Sequence, residues 1–254
     1  MWARLLLMLL LVGSLHTAPS TAEEHTPKVL HFAVIADVPS TELALELLRV
    51  AYSELGIEVV ARTVPSRRAL MMANIGVVDG DLFRIALVGK QYPDLVRVPY
   101  PLLYGQLHAV TNRPLLTGLL SLEQLPTTHL RAAVRRGVII AEQAVEGLGM
   151  VPVRADSFDQ MLALLAWDRV DLALISYVEG ISPLNTEAWR DFYVIPEPVT
   201  RYTLYHYLHR RHAHLAAPLA RVLEQLDRSG ERARIMERVK NTGSRTGLSP
   251  TSRN

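Results

Sequence analysis

Between residues 30 and 78, short apolar runs alternate with stretches whose apolar residues recur at helical spacing. That alternation restricts the chain more than any other feature. Leu30 to Ala36 is apolar throughout except for His31, as suits a strand buried on both faces. Pro39 and Ser40 break the run. Ala44, Leu47, Leu48, Ala51 and Leu55 then fall on one face of a helix, and Gly56 accepts the left-handed backbone that ends it. Ile57 to Ala61 reads as a second strand. Ser66 is the expected N-cap of a second helix through Ala69, Leu70, Met72 and Ala73 to Gly76, and Val77-Val78 is the expected entry to a third strand. A β-α-β-α-β order predicts a parallel sheet flanked by helices.

The same plan resumes further on. After extended pieces punctuated by Pro93, Pro99, Pro101 and Pro114, including Leu95 to Val98 and Gln106 to Thr111, a strand is expected at Arg131 to Val134, a helix at Ile139 to Leu148 and a strand at Val151 to Val153. Asp156 is the expected cap of a helix through Phe158, Met161, Leu162 and Leu165, and Asp171 to Ser176 is the next strand. The helix, turn and strand entry ending at Asp79 recur 92 positions later, ending at Asp171. Beyond Pro196 and Pro198, Tyr202 to Leu208 reads as extended. Leu215, Leu219, Val222, Leu223 and Leu226 form the stripe of a long helix that Gly230 ends.

Composition narrows the function. Apolar residues make up 49% of the chain and charged residues 20%, the balance of a folded protein. The net charge of +2 lacks the basic surplus of a nucleic-acid binder. There is no cysteine, which excludes disulfides, thiol catalysis, zinc–thiolate sites and iron–sulfur clusters. Arg4, the apolar run Leu5 to Val12 and the small residues Ser20-Thr21-Ala22 read as a cleavable export signal over residues 1–22, so the expected location is periplasmic, without membrane insertion after cleavage.

Four segments carry a family resemblance: Pro65-Ser66-Arg67-Arg68-Ala69-Leu70; the turn Gly76-Val77-Val78-Asp79-Gly80; the turn Asp168-Arg169-Val170-Asp171; and Tyr207-Leu208-His209 ahead of the helix at Leu215. In pattern and order they resemble the extracellular solute-binding proteins of family 3, over residues 29–240. The resemblance implies an α/β, two-lobed type II periplasmic-binding-protein fold with a ligand cleft between the lobes. Its expected division is a signal over 1–22, lobe 1 over 23–116, lobe 2 over 117–197, a return to lobe 1 over 198–240, and a disordered tail over 241–254.

The chain departs from the amino-acid-binding members of that family. The segment Leu87 to Arg97 lacks their Thr-x-x-Arg carboxylate clamp, Gly137 is followed by Val138 rather than a hydroxyl residue, and the strand ending Ile175-Ser176-Tyr177 lacks their aspartate. The expected function is capture of a small polar or anionic molecule by lobe closure for ABC-type uptake. The alternatives are a sensory or adaptor module for a membrane partner and a lyase-type enzyme on the same fold. The implied partners are the ligand and an ABC permease or membrane sensor.

Arg84 follows Asp79-Gly80-Asp81 near the carboxyl end of the third strand, where ligands of open α/β sheets bind. It has two readings, a fork onto an anion or an ion pair with Asp79 or Asp81. Arg68, in the first turn of its helix, is either a ligand contact or part of a solvated face. Tyr100, Tyr104 and Tyr177 either stack on a ligand or pack at the lobe boundary, and Gly137 is placed to turn backbone N–H groups toward an anion. His206, His209, His212 and His214 lack the spacing of a metal site and read as a solvated cationic surface. No catalytic residue, cofactor or metal is expected.

Overall fold

The computed structural model describes residues 27–35 and 38–246. The expected export signal lies outside them, as do residues 247–254 of the expected tail.

The chain alternates as its pattern requires. Lobe 1 is entered through β1 (Val29–Ile35), α1 (Thr41–Ser53), β2 (Glu58–Val64), α2 (Ser66–Asn74) and β3 (Gly80–Ile85), followed by the short α3 (Val88–Gln91) and β4 (Leu95–Arg97). The strand β5 (Leu103–Thr111) leads to β6 (Arg131–Arg135), α4 (Ile139–Gly147), β7 (Val151–Ala155), α5 (Phe158–Ala166) and β8 (Leu172–Val178). The two-residue β9 (Tyr193–Val194) precedes β10 (Thr200–His209), and α6 (Ala216–Arg228) and α7 (Glu231–Thr246) end the described chain. Residues 241–246, expected in a tail, continue α7.

One sheet runs through both lobes in the order β2-β1-β3-β10-β5-β8-β6-β7. β1 is parallel to β2 and β3, and β6 is parallel to β7 and β8. The two long strands β5 and β10 run antiparallel to their neighbours and to each other, carrying the sheet from lobe to lobe. Each half therefore has the same order, with the strand after its first helix outermost and a crossover strand at the centre.

Helices cover both faces. In lobe 1, Leu30 and Phe32 of β1 pack with Leu43 and Leu47 of α1 and with Leu219 and Leu223 of α6, while Ala33 on the opposite face meets Ala69 and Ala73 of α2. The amphipathic stripe of α6 is thus buried against β1 and α1. In lobe 2, α4 covers one face through Ala141 and Val145, and α5 covers the other through Met161 and Leu165.

Three local expectations shift, each for a reason in the backbone. α2 takes Pro65 at its N-cap position with no side-chain cap, so Ser66 is the first helical residue. α5 is capped by Ser157, whose hydroxyl accepts from the Gln160 N–H at 3.1 Å, and not by Asp156, whose carboxylate reaches Arg136. The third strand begins at Gly80 rather than at Val77, because the turn is stitched to β1 first. Asp79 N–H donates to the His31 carbonyl at 2.8 Å, and its carboxylate accepts from the His31 N–H at 2.8 Å. Gly80 then passes so close to β10 that a Cβ would lie 2.1 Å from the Tyr207 carbonyl oxygen.

Candidate functional site

β3 carries an irregularity that decides where Arg84 points. From Tyr207 to Tyr205, β10 advances two residues while β3 advances three, from Asp81 to Arg84. The extra residue is a β-bulge, and it returns Arg84 to the face that Asp81 occupies. Arg84 Nε and Nη2 bond the two Asp81 oxygens at 2.9 and 2.8 Å, and both residues are buried. Of the two readings of Arg84, the ion pair with Asp81 is therefore present. Burial pushes the Asp81 carboxyl above its ordinary value, against the pull of the Arg84 guanidinium and the Phe83 N–H.

His206 sits opposite the bulge and is fully buried, which corrects the surface reading of this residue. Its Nδ1 donates to the Leu82 carbonyl at 3.0 Å, and its Nε2 accepts from the Tyr52 hydroxyl at 3.0 Å. The ring thus supplies a bond at the point where the ladder loses its register. Burial lowers its pKa to about 4. The surface reading does not hold for His212 either, which is part-buried and bonds Asp79 at 2.7 Å beside Arg211. Among the described residues no group of His, Asp and Glu could hold a metal ion.

Arg84 faces a cavity of about 100 Å³ between the lobes. Lobe 1 contributes Phe83, Arg84 and Ile85, lobe 2 contributes Arg135 and Phe158, and the crossover strand β10 contributes Tyr202. Arg135 ends β6, is buried, and places its guanidinium 4.8 Å from the centre of the Phe158 ring. The cavity shares Gly137 and Ile139 with a wider groove of about 920 Å³, where Met71 and Tyr92 face Glu142 and Arg154 across the lobe boundary.

Of the six residues singled out in the sequence, Arg84 and Gly137 line this cavity together. Gly137, with φ +79°, does turn its N–H toward an anion, but that anion is the Glu142 carboxylate of the following helix at 3.2 Å. Tyr104 and Tyr177 line a separate pocket of about 500 Å³ against Arg201 and Glu179, on which Tyr202 also borders. Tyr100 lies in neither. Its hydroxyl donates to Asp227 at 2.6 Å, and that bond pushes its pKa up to about 12. Arg68 is exposed on α2, outside these linings.

Arg135, Phe158 and Tyr202 are the residues the sequence reasoning passed over. A signal existed for Arg135: like Arg84, it stands at the carboxyl end of an apolar strand, Ala132 to Val134. Phe158 and Tyr202 had no such signal, because each falls in its element's apolar pattern.

No protein-family model matches the chain. An uncharacterised protein of Shewanella oneidensis is 28% identical over 196 residues, 75% of this chain and 73% of that one. A putative binding component of an ABC transporter from Wolinella succinogenes, complexed with lysine, superposes with a TM-score of 0.68 at 12% identity, covering 83% of this chain and 95% of that one. The GluR0 ligand-binding core in complex with L-glutamate gives 0.68 at 13% identity over 83% and 97%. The chain has the two-lobed type II periplasmic-binding fold. The resemblance drawn from the helix-to-strand turns pointed to this fold. It also appears in AncCDT-1, an ancestral amino acid-binding protein and precursor of cyclohexadienyl dehydratase, with a TM-score of 0.63 at 15% identity over 83% and 94%.

Proposed function

We propose that the protein captures a small anionic solute in the cavity between its lobes and serves as the periplasmic binding component of an ABC-type uptake system. One observation carries the reading: the cavity brings together an arginine from each lobe, Arg84 and Arg135, within an otherwise largely apolar lining. Ligand sites combine a mostly apolar wall with a few placed polar groups. An anion between two guanidiniums on different lobes ties the lobes together, which is how capture by closure works. The likeness to a putative ABC-transporter binding component complexed with lysine and to a ligand-binding core complexed with L-glutamate supports binding over catalysis, as does the apolar character of the lining.

The test is a thermal-shift screen of the mature protein against monocarboxylates, dicarboxylates, phosphate and amino acids. A ligand at about 100 times its Kd stabilises the native state by about 2.7 kcal/mol, a shift of several degrees. Arg135→Ala should abolish the shift of any anionic hit. A screen in which only cationic or neutral compounds shift the Tm, with Arg135→Ala responding as wild type, would refute the reading.

A further inference from the structure

We infer that the Tyr202 ring, laid across Gly105, is the rear wall of the inter-lobe cavity and limits the length of the molecule held there; the inference rests on the anion-binding reading above. Tyr202 of β10 and Gly105 of β5 are direct partners where the two crossover strands pair. A Cβ on Gly105 would lie 2.3 Å from Tyr202 Cζ and 2.4 Å from Cε2, so the ring covers the bare glycine. Burial raises the Tyr202 pKa, and the side chain of Ser176 on β8 stands near enough to its hydroxyl to pull the other way. Tyr202 also packs against apolar clusters of both lobes, one built on Leu204 and Leu208 and the other on Leu107 and Ile195. It is thus held between the two clusters where the crossover strands pair.

Its position gives the ring a second role. Tyr202 is the residue common to the cavity of about 100 Å³ and to the pocket of about 500 Å³ bounded by Tyr104, Gly105 and Arg201. With the ring in place the two spaces are separate. The inner one is smaller than the ~150 Å³ apolar cavity that accepts a benzene ring. A tail that runs from an anion near Arg84 and Arg135 toward the paired crossover strands is stopped by the ring, while the side of the cavity at Gly137 and Ile139 borders the wider groove. The substrate class is accordingly a short-chain carboxylate, with a tail smaller than a six-membered ring.

The experiment uses straight-chain monocarboxylates from acetate to octanoate as probes of the wild type, Tyr202→Ala and Tyr202→Phe, read by calorimetric Kd. The wild type and Tyr202→Phe should bind the short members and lose at least tenfold in affinity beyond about five carbons. Tyr202→Ala should move the preference to longer members. Binding by Tyr202→Ala with the wild-type cut-off would overturn the wall. A second readout needs no ligand. The chain has no cysteine, so Ser176→Cys places a single thiol beside the ring. Its modification by a methanethiosulfonate reagent should be at least tenfold faster with Tyr202→Ala and unchanged with Tyr202→Phe. Equal rates in all three backgrounds would overturn the wall. If no carboxylate binds any variant but the labelling rates differ as expected, the wall stands and the anion-binding reading fails.

Discussion

β3 and β8 occupy the same place in the two lobes and begin in the same way. Asp79 and Asp171 each donate an N–H to the first strand of their lobe, at His31 and Arg131 respectively, and each accepts that residue's N–H on its carboxylate at 2.8 Å. Arginines close both turns, Arg211 on Asp79 and Arg131 with Arg113 on Asp171. Burial acts to raise both carboxyls, but the N–H groups and cations around them outweigh it and hold both below the ordinary value.

Two residues further on the strands diverge. Opposite Ala33, β3 buries Asp81; opposite Ala133, β8 buries Ala173. β8 stays in register with β5 from Val178 to Ala173, whereas β3 slips one residue against β10 and brings Arg84 back to Asp81. What the strands share is the stitch that starts them. What separates them is the charge and irregularity confined to lobe 1, beside the cavity.

The largest effect should come from that asymmetry. Asp81→Ala removes one partner of a buried ion pair and should cost about 3–5 kcal/mol in urea unfolding. Arg84→Ala should also lower the stability of the ligand-free protein. If Asp81→Ala costs less than about 1 kcal/mol, the pair is dispensable and lobe 1 differs from lobe 2 in geometry alone.

The bulge should also have a pH signature that the regular β8 lacks. His206 has a folded-state pKa of about 4 against an ordinary 6.5. Between those values the unfolded chain binds a proton that the folded chain refuses. Stability should therefore fall as pH drops from about 6.5 to about 4, by about 3 kcal/mol at 1.36 kcal/mol per unit. His206→Gln should be less stable at pH 7 but should lose this part of the slope. An unchanged slope would mean that other groups produce it.

The shared stitches should be nearly interchangeable. Asp79→Ala and Asp171→Ala should each cost about 1.5–3 kcal/mol, the range for hydrogen bonds to a charged group. Their effects should add within about 0.5 kcal/mol, since the sites lie in different lobes. A marked inequality would break the equivalence of the two turns.

The smallest effects concern the helix starts. Ser157 caps α5, and Pro65 holds the corresponding place at α2 without a side-chain cap. Ser157→Ala should cost about 1 kcal/mol. Asp156→Ala, which removes an exposed pair with Arg136, should cost less than about 0.5 kcal/mol. Pro65→Ser should be close to neutral, within about 0.5 kcal/mol, because the new cap is offset by a freer unfolded chain.

Much of this architecture could be read along the chain. The order of strands and helices, the stop at Gly56, the paired turns ending at Asp79 and Asp171 and the place of Arg84 near a carboxyl edge all follow from local pattern. Each of two helices starts one residue away from its expected cap: at α2 Pro65 takes the N-cap position with no side-chain cap, and at α5 Ser157 rather than the adjacent Asp156 accepts the Gln160 N–H, choices that only the backbone geometry makes. Gly137 does turn its N–H toward an anion, but that anion is the chain's own Glu142, five positions on.

The sequence by itself determined which faces of each element are apolar, since side-chain period is a local property, and with it the two similar α/β lobes. Only the tertiary structure decided which side of β3 Arg84 occupies, because that depends on the register against β10, more than a hundred residues away, and one extra residue reverses it. The burial of His206 and the meeting of Tyr202 with Gly105 were decided in the same way. Both contacts arise across paired strands distant in sequence, where no periodicity within either strand records its partner.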